Sequence, residues 1–273
     1  VTGQTATVTR NSIKTAFGAD GKLRDVPANT LAVEPWSRHS TGGRGHAAII
    51  EESRTNGYRN GHFATDTANW LSDGTLTREA DATAPYGGWC GQATITGGGG
   101  DTNATKTLLA QDVAYAAGQT VTASSWRKGS ASGCQVQGYV EARNASDTVL
   151  GIVTMDVTLT GDYVRGSRTY ANLPANTTKT RSGFRATGVD SGDTATVCMN
   201  AANSEVGAFP TSYIPTTTAP VTRAADEVTV PTTGRNPETG TLVAVSGHAQ
   251  QAGAAFLTPT YWFGDVNNRI GLW

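Results

Sequence analysis

The sequence predicts an all-β protein built as a sandwich of short strands, and three observations carry that expectation. Of 273 residues, 33 are glycine and only 16% are charged, a turn-rich composition without the Leu, Glu and Lys runs that favour helices. Short runs of alternating character recur between turn signals from about residue 60 onward. No segment of ten or more residues carries an apolar stripe at helical spacing.

Residues 1–59 are dominated by loop chemistry: Ala19-Asp20-Gly21, Pro27 with Asn29, Glu34-Pro35, and Thr41 to Gly45. One short apolar run, Ala47 to Ile50, interrupts it. This reads as an extended arm with one or two short strands. Such an arm buries too little apolar surface to be ordered alone, so it is expected to lie against something else.

Residues 60–215 read as the sandwich itself. Candidate strands are Thr120 to Trp126, Gln135 to Val140, Thr148 to Val153, Met155 to Thr160 and Ala195 to Met199. In the fourth, Met155, Val157 and Leu159 share one face by the two-residue period of a strand. Gly97 to Gly100, followed by Asp101, reads as a loop tip. Residues 216–236 read as a linker. The prolines Pro210, Pro215 and Pro220 keep the approach to it extended and outside any ladder. In residues 237–273, Thr241 to Ser246 and Asn268 to Trp273 look like strands. About forty residues cannot bury a useful core, so this part is expected to open a second β-domain or to dock as a tail.

Charge and composition exclude several function classes. With 21 Lys+Arg against 22 Asp+Glu, the chain lacks the basic surface that nucleic-acid phosphates require. No apolar stretch approaches the roughly 20 residues of a membrane-spanning helix, so membrane insertion is not expected. The three cysteines, Cys90, Cys134 and Cys198, are odd in number and sparse. Small buried hydrophobes are the preferred reading, against one bridge plus a free thiol.

Signatures of catalysis are missing. His39, His46, His62 and His248 have neither the HExxH spacing nor a nearby cysteine pair, and no nucleophile elbow or P-loop occurs. Glu51, Glu52, Glu141, Asp156 and Glu205 are carboxylates of the kind glycoside hydrolysis uses, but nothing in the sequence pairs them. No catalytic residue is therefore expected. Aromatics say more. Trp70 and Trp126 are expected in the core, whereas Tyr86 and Trp89 flank two glycines in a loop. With Tyr139 they are the candidate sugar-stacking residues, the competing reading being rings that fill the sandwich core. Asp101, Asp190 and Asp193 lie in Gly-rich loops and offer oxygen ligands for Ca²⁺, the one cofactor considered; the competing reading is solvated turn carboxylates.

Three stretches together resemble a family. "IIEESRTNGYRNGHFATDTANW" (Ile49 to Trp70) resembles the LLIE–RTN stretch of bacteriophage tail and other virion proteins. "YAAGQTVTASSWRKG" (Tyr115 to Gly129) is similar to a strand of the carbohydrate-binding-module-like jelly roll that follows it there. "NSEVGAFPTSYIPTTTAPVTRAAD" (Asn203 to Asp226) looks like the end of that jelly roll. Ser204, and Gly57-Tyr58 after Arg-Thr-Asn, depart from the family pattern.

The resemblance implies a jelly-roll β-sandwich followed by the start of a concanavalin- or laminin-G-like one. It implies a non-enzymatic structural protein of the virion, in a tail fibre, baseplate, tail tip or capsid-attached fibre. Such a protein is made in the bacterial host cytoplasm. Its partners would be other virion subunits, copies of itself in a homo-oligomer (a trimer for a fibre) and host-surface glycans. The alternative is a carbohydrate-binding accessory module of a glycan-degrading enzyme or depolymerase. In either setting Phe209, Tyr213, Arg223 and Asp226 are expected as structural anchors of the exit strap, the last two leading towards the next unit.

Overall fold

Alternation at the level of single strands sets the architecture. The computed structural model describes residues 7–35 and 46–229, together with 262–263 and 270–271. Six short strands come first: β1 (Thr7–Thr9), β2 (Lys14–Phe17), β3 (Leu23–Val26), β4 (Ala32–Pro35), β5 (His46–Ile49) and β6 (Arg54–Asn56). The sandwich follows as β7 (Thr75–Ala80), β8 (Trp89–Thr96), β9 (Ala104–Ala114), β10 (Val121–Ser132), β11 (Gln135–Arg143), β12 (Val149–Asp156), β13 (Val164–Tyr170), β14 (Lys179–Val189) and β15 (Thr194–Val206). Two short strands close the body, β16 (Val221–Arg223) and β17 (Glu227–Thr229). No helix occurs among the described residues.

The nine sandwich strands form two antiparallel sheets. One has the order β13-β10-β15-β8-β7 and the other β12-β11-β14-β9. Because consecutive strands mostly change sheet, the chain winds around the core as a jelly roll. Inward positions supply that core: Ala93 and Ile95 from β8, Leu108, Leu109 and Val113 from β9, Val136 and Val140 from β11, Phe184 and Ala186 from β14, Val197 and Met199 from β15. Trp70 and Phe63 plug one end, their rings 5.4 Å apart.

On β14 burial alternates residue by residue, as one-sided packing requires. On β15 it does not: Val197 to Glu205 are buried without a break. A second, smaller core explains this. Leu23, Ala201 and Tyr213 pack with Phe17, Tyr86 and Trp126 on the outer face of the five-stranded sheet. At Ala201 the backbone turns left-handed (φ 48°), in the stretch where the β10–β15 register shifts between Ser124 and Trp126. That bulge lets Ala201 face outward while Ala202 still faces the main core.

The arm therefore covers its own sandwich. β2 and β3 form a hairpin laid on the five-stranded sheet, with Phe17 edge-on to Trp126 at 5.5 Å. Leu23 N–H donates to the Pro85 carbonyl (2.8 Å), and Thr15 Oγ1 donates to the Tyr213 carbonyl (2.6 Å). Trp126, expected in the sandwich core, instead fills this outer cluster. β4 pairs with β5, β6 with β16, and β1 with β17. Within residues 216–236, read as a linker, two strands are thus paired to the body.

Two further expectations need correction. Met155 to Thr160 is not a strand of its own: β12 ends at Asp156, and Val157 N–H adds one last bond along β11, to Val136 O at 2.9 Å. Val157 is buried, but Met155 is 40% exposed. Cys90 and Cys198, preferred as free buried hydrophobes, form a disulfide with Cα atoms 5.7 Å apart, leaving Cys134 as the free thiol. Most of residues 237–273, where a second β-domain is expected, lies outside the described residues; within it Trp262–Phe263 (β18) pairs with Ile270–Gly271 (β19).

Candidate functional site

The first and third of the signature stretches, some 170 residues apart in sequence, meet in space. β6 (Arg-Thr-Asn) pairs antiparallel with β16 (Val-Thr-Arg), placing Asn56 opposite Val221 and Arg54 opposite Arg223. Asn56 is fully buried and uses its whole amide. Its Nδ2 donates to the carbonyls of Ala202 and Ile214 (2.9 Å each), and its Oδ1 accepts from Ser204 N–H (2.9 Å) and Tyr58 N–H (3.1 Å). One side chain thus ties three chain segments together, a task that needs two donors and an acceptor in one plane.

Beside it lies a buried ionic clasp. Arg223, 0% exposed, pairs with Glu51 (3.0 Å) and donates to Ser212 Oγ (2.8 Å) and Glu52 O (3.0 Å). Lys14 Nζ reaches Asp226 (2.6 Å), Glu51 (3.1 Å) and the Ile49 carbonyl (2.6 Å). Arg10 pairs with Asp226 at 2.5 Å. The side chains of Arg10 and Lys14 are 0% exposed and that of Asp226 is 2% exposed. Burial pushes the Glu51 and Asp226 carboxyls up, but the facing cations and hydrogen bonds outweigh it and hold both below the ordinary range. Nearby Glu205 has Thr211 N–H and Oγ1 as donors, yet burial prevails and raises it. Every ionised group of the clasp is engaged by the protein itself, so it fastens chain segments together. Arg223 and Asp226 do not lead away from the sandwich; they turn back into it.

Tyr213, the strap aromatic, is 2% exposed, with its Oη 2.7 Å from His62 Nδ1. Phe209, expected beside it as an anchor, is 44% exposed under the Arg54 guanidinium (5.4 Å). His62 is also edge-on to Tyr86 (4.9 Å), and Asp25 is the charge that acts on it. Burial lowers its pKa below the ordinary 6.5, with Asp25 opposing. The folded state therefore holds fewer protons than the unfolded chain below that pH. Stability from this site is complete above about pH 6.5 and is lost as pH falls towards the lowered folded value. Glu205, raised by burial, works in the opposite direction, so the variant isolates the effect. His62→Gln, which keeps a partner for Tyr213, should flatten the melting-temperature profile between pH 7 and 5. An unchanged profile would remove His62 as its source.

The three candidate sugar-stacking residues do not share a surface. Tyr86 packs against His62 and Tyr213 and donates its hydroxyl to Asp25 (2.7 Å), so the arm hairpin covers it. Trp89 has the Arg78 guanidinium 3.2 Å from its ring centroid. Tyr139 lies on the face of β11 opposite the core residues Val136 and Val140, but it is only 3% exposed, with the Arg185 guanidinium 5.6 Å from its ring centroid, and presents no open face to a ligand. Asp101, Asp190 and Asp193 come to one end of the sandwich but are engaged separately. Asp101 pairs with Lys106 (2.6 Å), Asp190 accepts from Asn103 N–H (2.7 Å), and Asp193 accepts from Asp190 N–H (2.8 Å). They do not converge as a ligand set. Among the described residues, the group that does converge is Asp81, Cys90 and Cys198, and its sulfurs are joined in the disulfide.

What the structure does open is a cleft of about 490 Å³ beside β6, between residues 53–59 and the end of β9. Arg54, Gly57, Arg59, Asp112, Tyr115 and Pro220 are among its walls. Arg59 is exposed, while Asp112 is fixed by Arg181 (2.6 Å) and Lys179 (3.0 Å), which hold its carboxyl low against burial. Tyr115 Oη bonds Ser204 Oγ at 3.1 Å. Charged donors, a charged acceptor and a ring edge in one concavity suit a hydroxyl-rich ligand. The Arg-Thr-Asn motif flagged one wall; Asp112 and Tyr115 carry no distinguishing local signal.

No family model matches the chain, and no curated protein matches it. Among solved structures it is similar to the enzymatically active domain of bacteriophage CBA120 tailspike protein 4, at 12% identity and a TM-score of 0.43, over 56% of this chain and 21% of that one. It is similar to the CBM22-1 xylan-binding domain from Paenibacillus barcinonensis (14% identity, TM-score 0.40, 57% of this chain and 94% of that one). A carbohydrate-binding module of the β-sandwich superfamily, described for promiscuous specificity, is similar at 16% identity and TM-score 0.40, over 74% and 92% of the two chains. The fold assignment here rests on the strand order of this chain.

Proposed function

We propose that the chain is a non-enzymatic structural module of a phage particle, whose sandwich offers the cleft beside β6 to host-surface glycans. The observation that carries the reading is the convergence of the virion-like stretches. The first supplies Glu51, Asn56 and β6, and the third supplies Ser212, β16, Arg223 and Asp226, so the shared residues are those that close one body. A family signature made of clasp residues marks a mounted module. Other virion subunits and further copies of the chain are the partners this reading implies.

Immunogold labelling of purified particles tests the mounting: discrete labelling at a tail or capsid site is expected, and unlabelled particles would favour an accessory module of a glycan-degrading enzyme. Glycan-array binding that Arg59→Ala weakens about ten-fold, as loss of a charge-assisted bond would, supports the cleft. New reducing ends after incubation with capsular polysaccharide would overturn the non-enzymatic reading.

A further inference from the structure

Among the described residues, two arginines on the inner faces of the sandwich have no counter-charge. Arg127 on β10 is 8% exposed, and Arg168 stands on the neighbouring strand β13. The Nε atoms of both are buried without a hydrogen-bond partner. Arg127 Nη1 lies 3.4 Å from Val164 O and its guanidinium 5.9 Å from the Phe184 ring centroid, and Arg168 donates to Ser167 O. Among the described residues neither forms an ion pair, in a protein whose other buried cations are paired closely.

They flank a narrow crevice between the two sheets, with open space of about 30 Å³. Glycine makes the room. The Arg127 guanidinium occupies the space a side chain at Gly166 would need, and a Cβ at Gly138 would sit 3.9 Å from Arg168 Nη2. Phe184, Tyr139, Met199 and Ser125 complete the walls. Burial lowers the pKa of both guanidinium groups, and for Arg168, pushed down to about 10, the charge of Arg127 adds to it. An unpaired cation is costly when buried, as Arg127 is, and a second, half-buried one beside it, Arg168, adds to the cost. One anion between them removes the cost of both. The space exceeds the roughly 10–15 Å³ that a single water needs, and it suits a flat, small group better than a bulky tetrahedral one.

We propose that this crevice is a carboxylate-binding site, with Arg127 and Arg168 as its cationic jaws. Planar guanidinium forks match a carboxylate edge to edge, and the apolar walls keep water from competing. The carboxylate comes either from an acidic sugar or from a small free acid. The site is separate from the cleft beside β6 and does not depend on the reading of that cleft.

The test is titration of the intact protein with sodium acetate, sodium glucuronate, sodium phosphate and glucose, at ionic strength matched with NaCl, read by melting temperature and tyrosine fluorescence. A saturable rise with acetate or glucuronate, absent with glucose and matched NaCl, supports the site. Tighter binding of glucuronate than acetate assigns it to acidic sugars, and the reverse assigns it to small free acids. Arg127→Gln and Arg168→Gln should each weaken binding ten-fold or more. Each should also melt higher than wild type without ligand, because an unpaired buried charge is gone. Arg59→Ala should leave carboxylate binding unchanged. Phosphate binding without carboxylate binding, or no saturable response in the wild-type protein, overturns the proposal.

Discussion

Asp226→Asn is expected to be the most damaging single substitution on the exit strap, lowering stability by about 3–5 kcal/mol. Asparagine keeps the shape and one acceptor, so the loss isolates the charge. Arg10 and Lys14, both with side chains 0% exposed, would then be left with a missing counter-ion at 2.5 and 2.6 Å. The Glu51 N–H, which now donates to Asp226 at 2.9 Å, would meet a weaker acceptor or an amide donor. Urea denaturation measures the loss. Limited proteolysis should show the β2–β3 hairpin cut first, because the Lys14–Asp226 ion pair is its charged link to the strap, leaving the Thr15–Tyr213 hydrogen bond and the Leu23 contact to hold it. Adding Lys14→Met should recover part of the loss, since it removes one of the stranded charges. A single-variant effect below about 1 kcal/mol would place the clasp with ordinary surface ion pairs.

Removing the Cys90–Cys198 bridge carries the second large effect. The linked residues are 108 apart in sequence, a separation for which loop-closure entropy in the unfolded chain predicts about 4–5 kcal/mol. Both sulfurs are buried, Cys90 at 0% and Cys198 at 5% exposure, so the paired substitution Cys90→Ala with Cys198→Ala is a better probe than reductant. Cys134→Ser, at a partly exposed free thiol, should change stability by no more than about 0.5 kcal/mol and serves as the control. If the double variant melts within a degree or two of wild type, the bridge does not constrain the unfolded chain as argued.

The sandwich was legible because its strands obey a local rule. Gln135 to Val140 and Ala195 to Met199 alternate in sequence and lie on strands in the structure, since a face that meets a core must be apolar at every second residue. The outer cluster was not legible, because the same rule breaks when both faces are covered. Ala201, Asn203 and Glu205 carry no pattern until the hairpin and strap are laid over β15. Trp126 and Tyr86 were misplaced for that reason: each needed a partner from a segment that reads as an unpaired arm. The disulfide pairing depends on β8 and β15 being neighbours, a long-range fact. The walls of the cleft and the facing of Arg127 on Arg168 likewise arise from strand order. The clasp lay between these cases. Glu51, Ser212, Arg223 and Asp226 stood inside motifs, whereas Arg10 and Lys14 carried no signal and their meeting with the others was hidden.

The pairing of β1 with β17 has a mechanical consequence. Thr7 lies opposite Thr229 and Thr9 opposite Glu227, so the incoming and outgoing chain run side by side in opposite directions. A load that separates these two segments peels the pair rung by rung, starting from the outermost one. The rung after Thr9 is the Arg10–Asp226 ion pair, followed inward by Lys14. Tension is met there by buried charges that cannot separate without being stranded, and the two large sheets behind them stay out of the line of force.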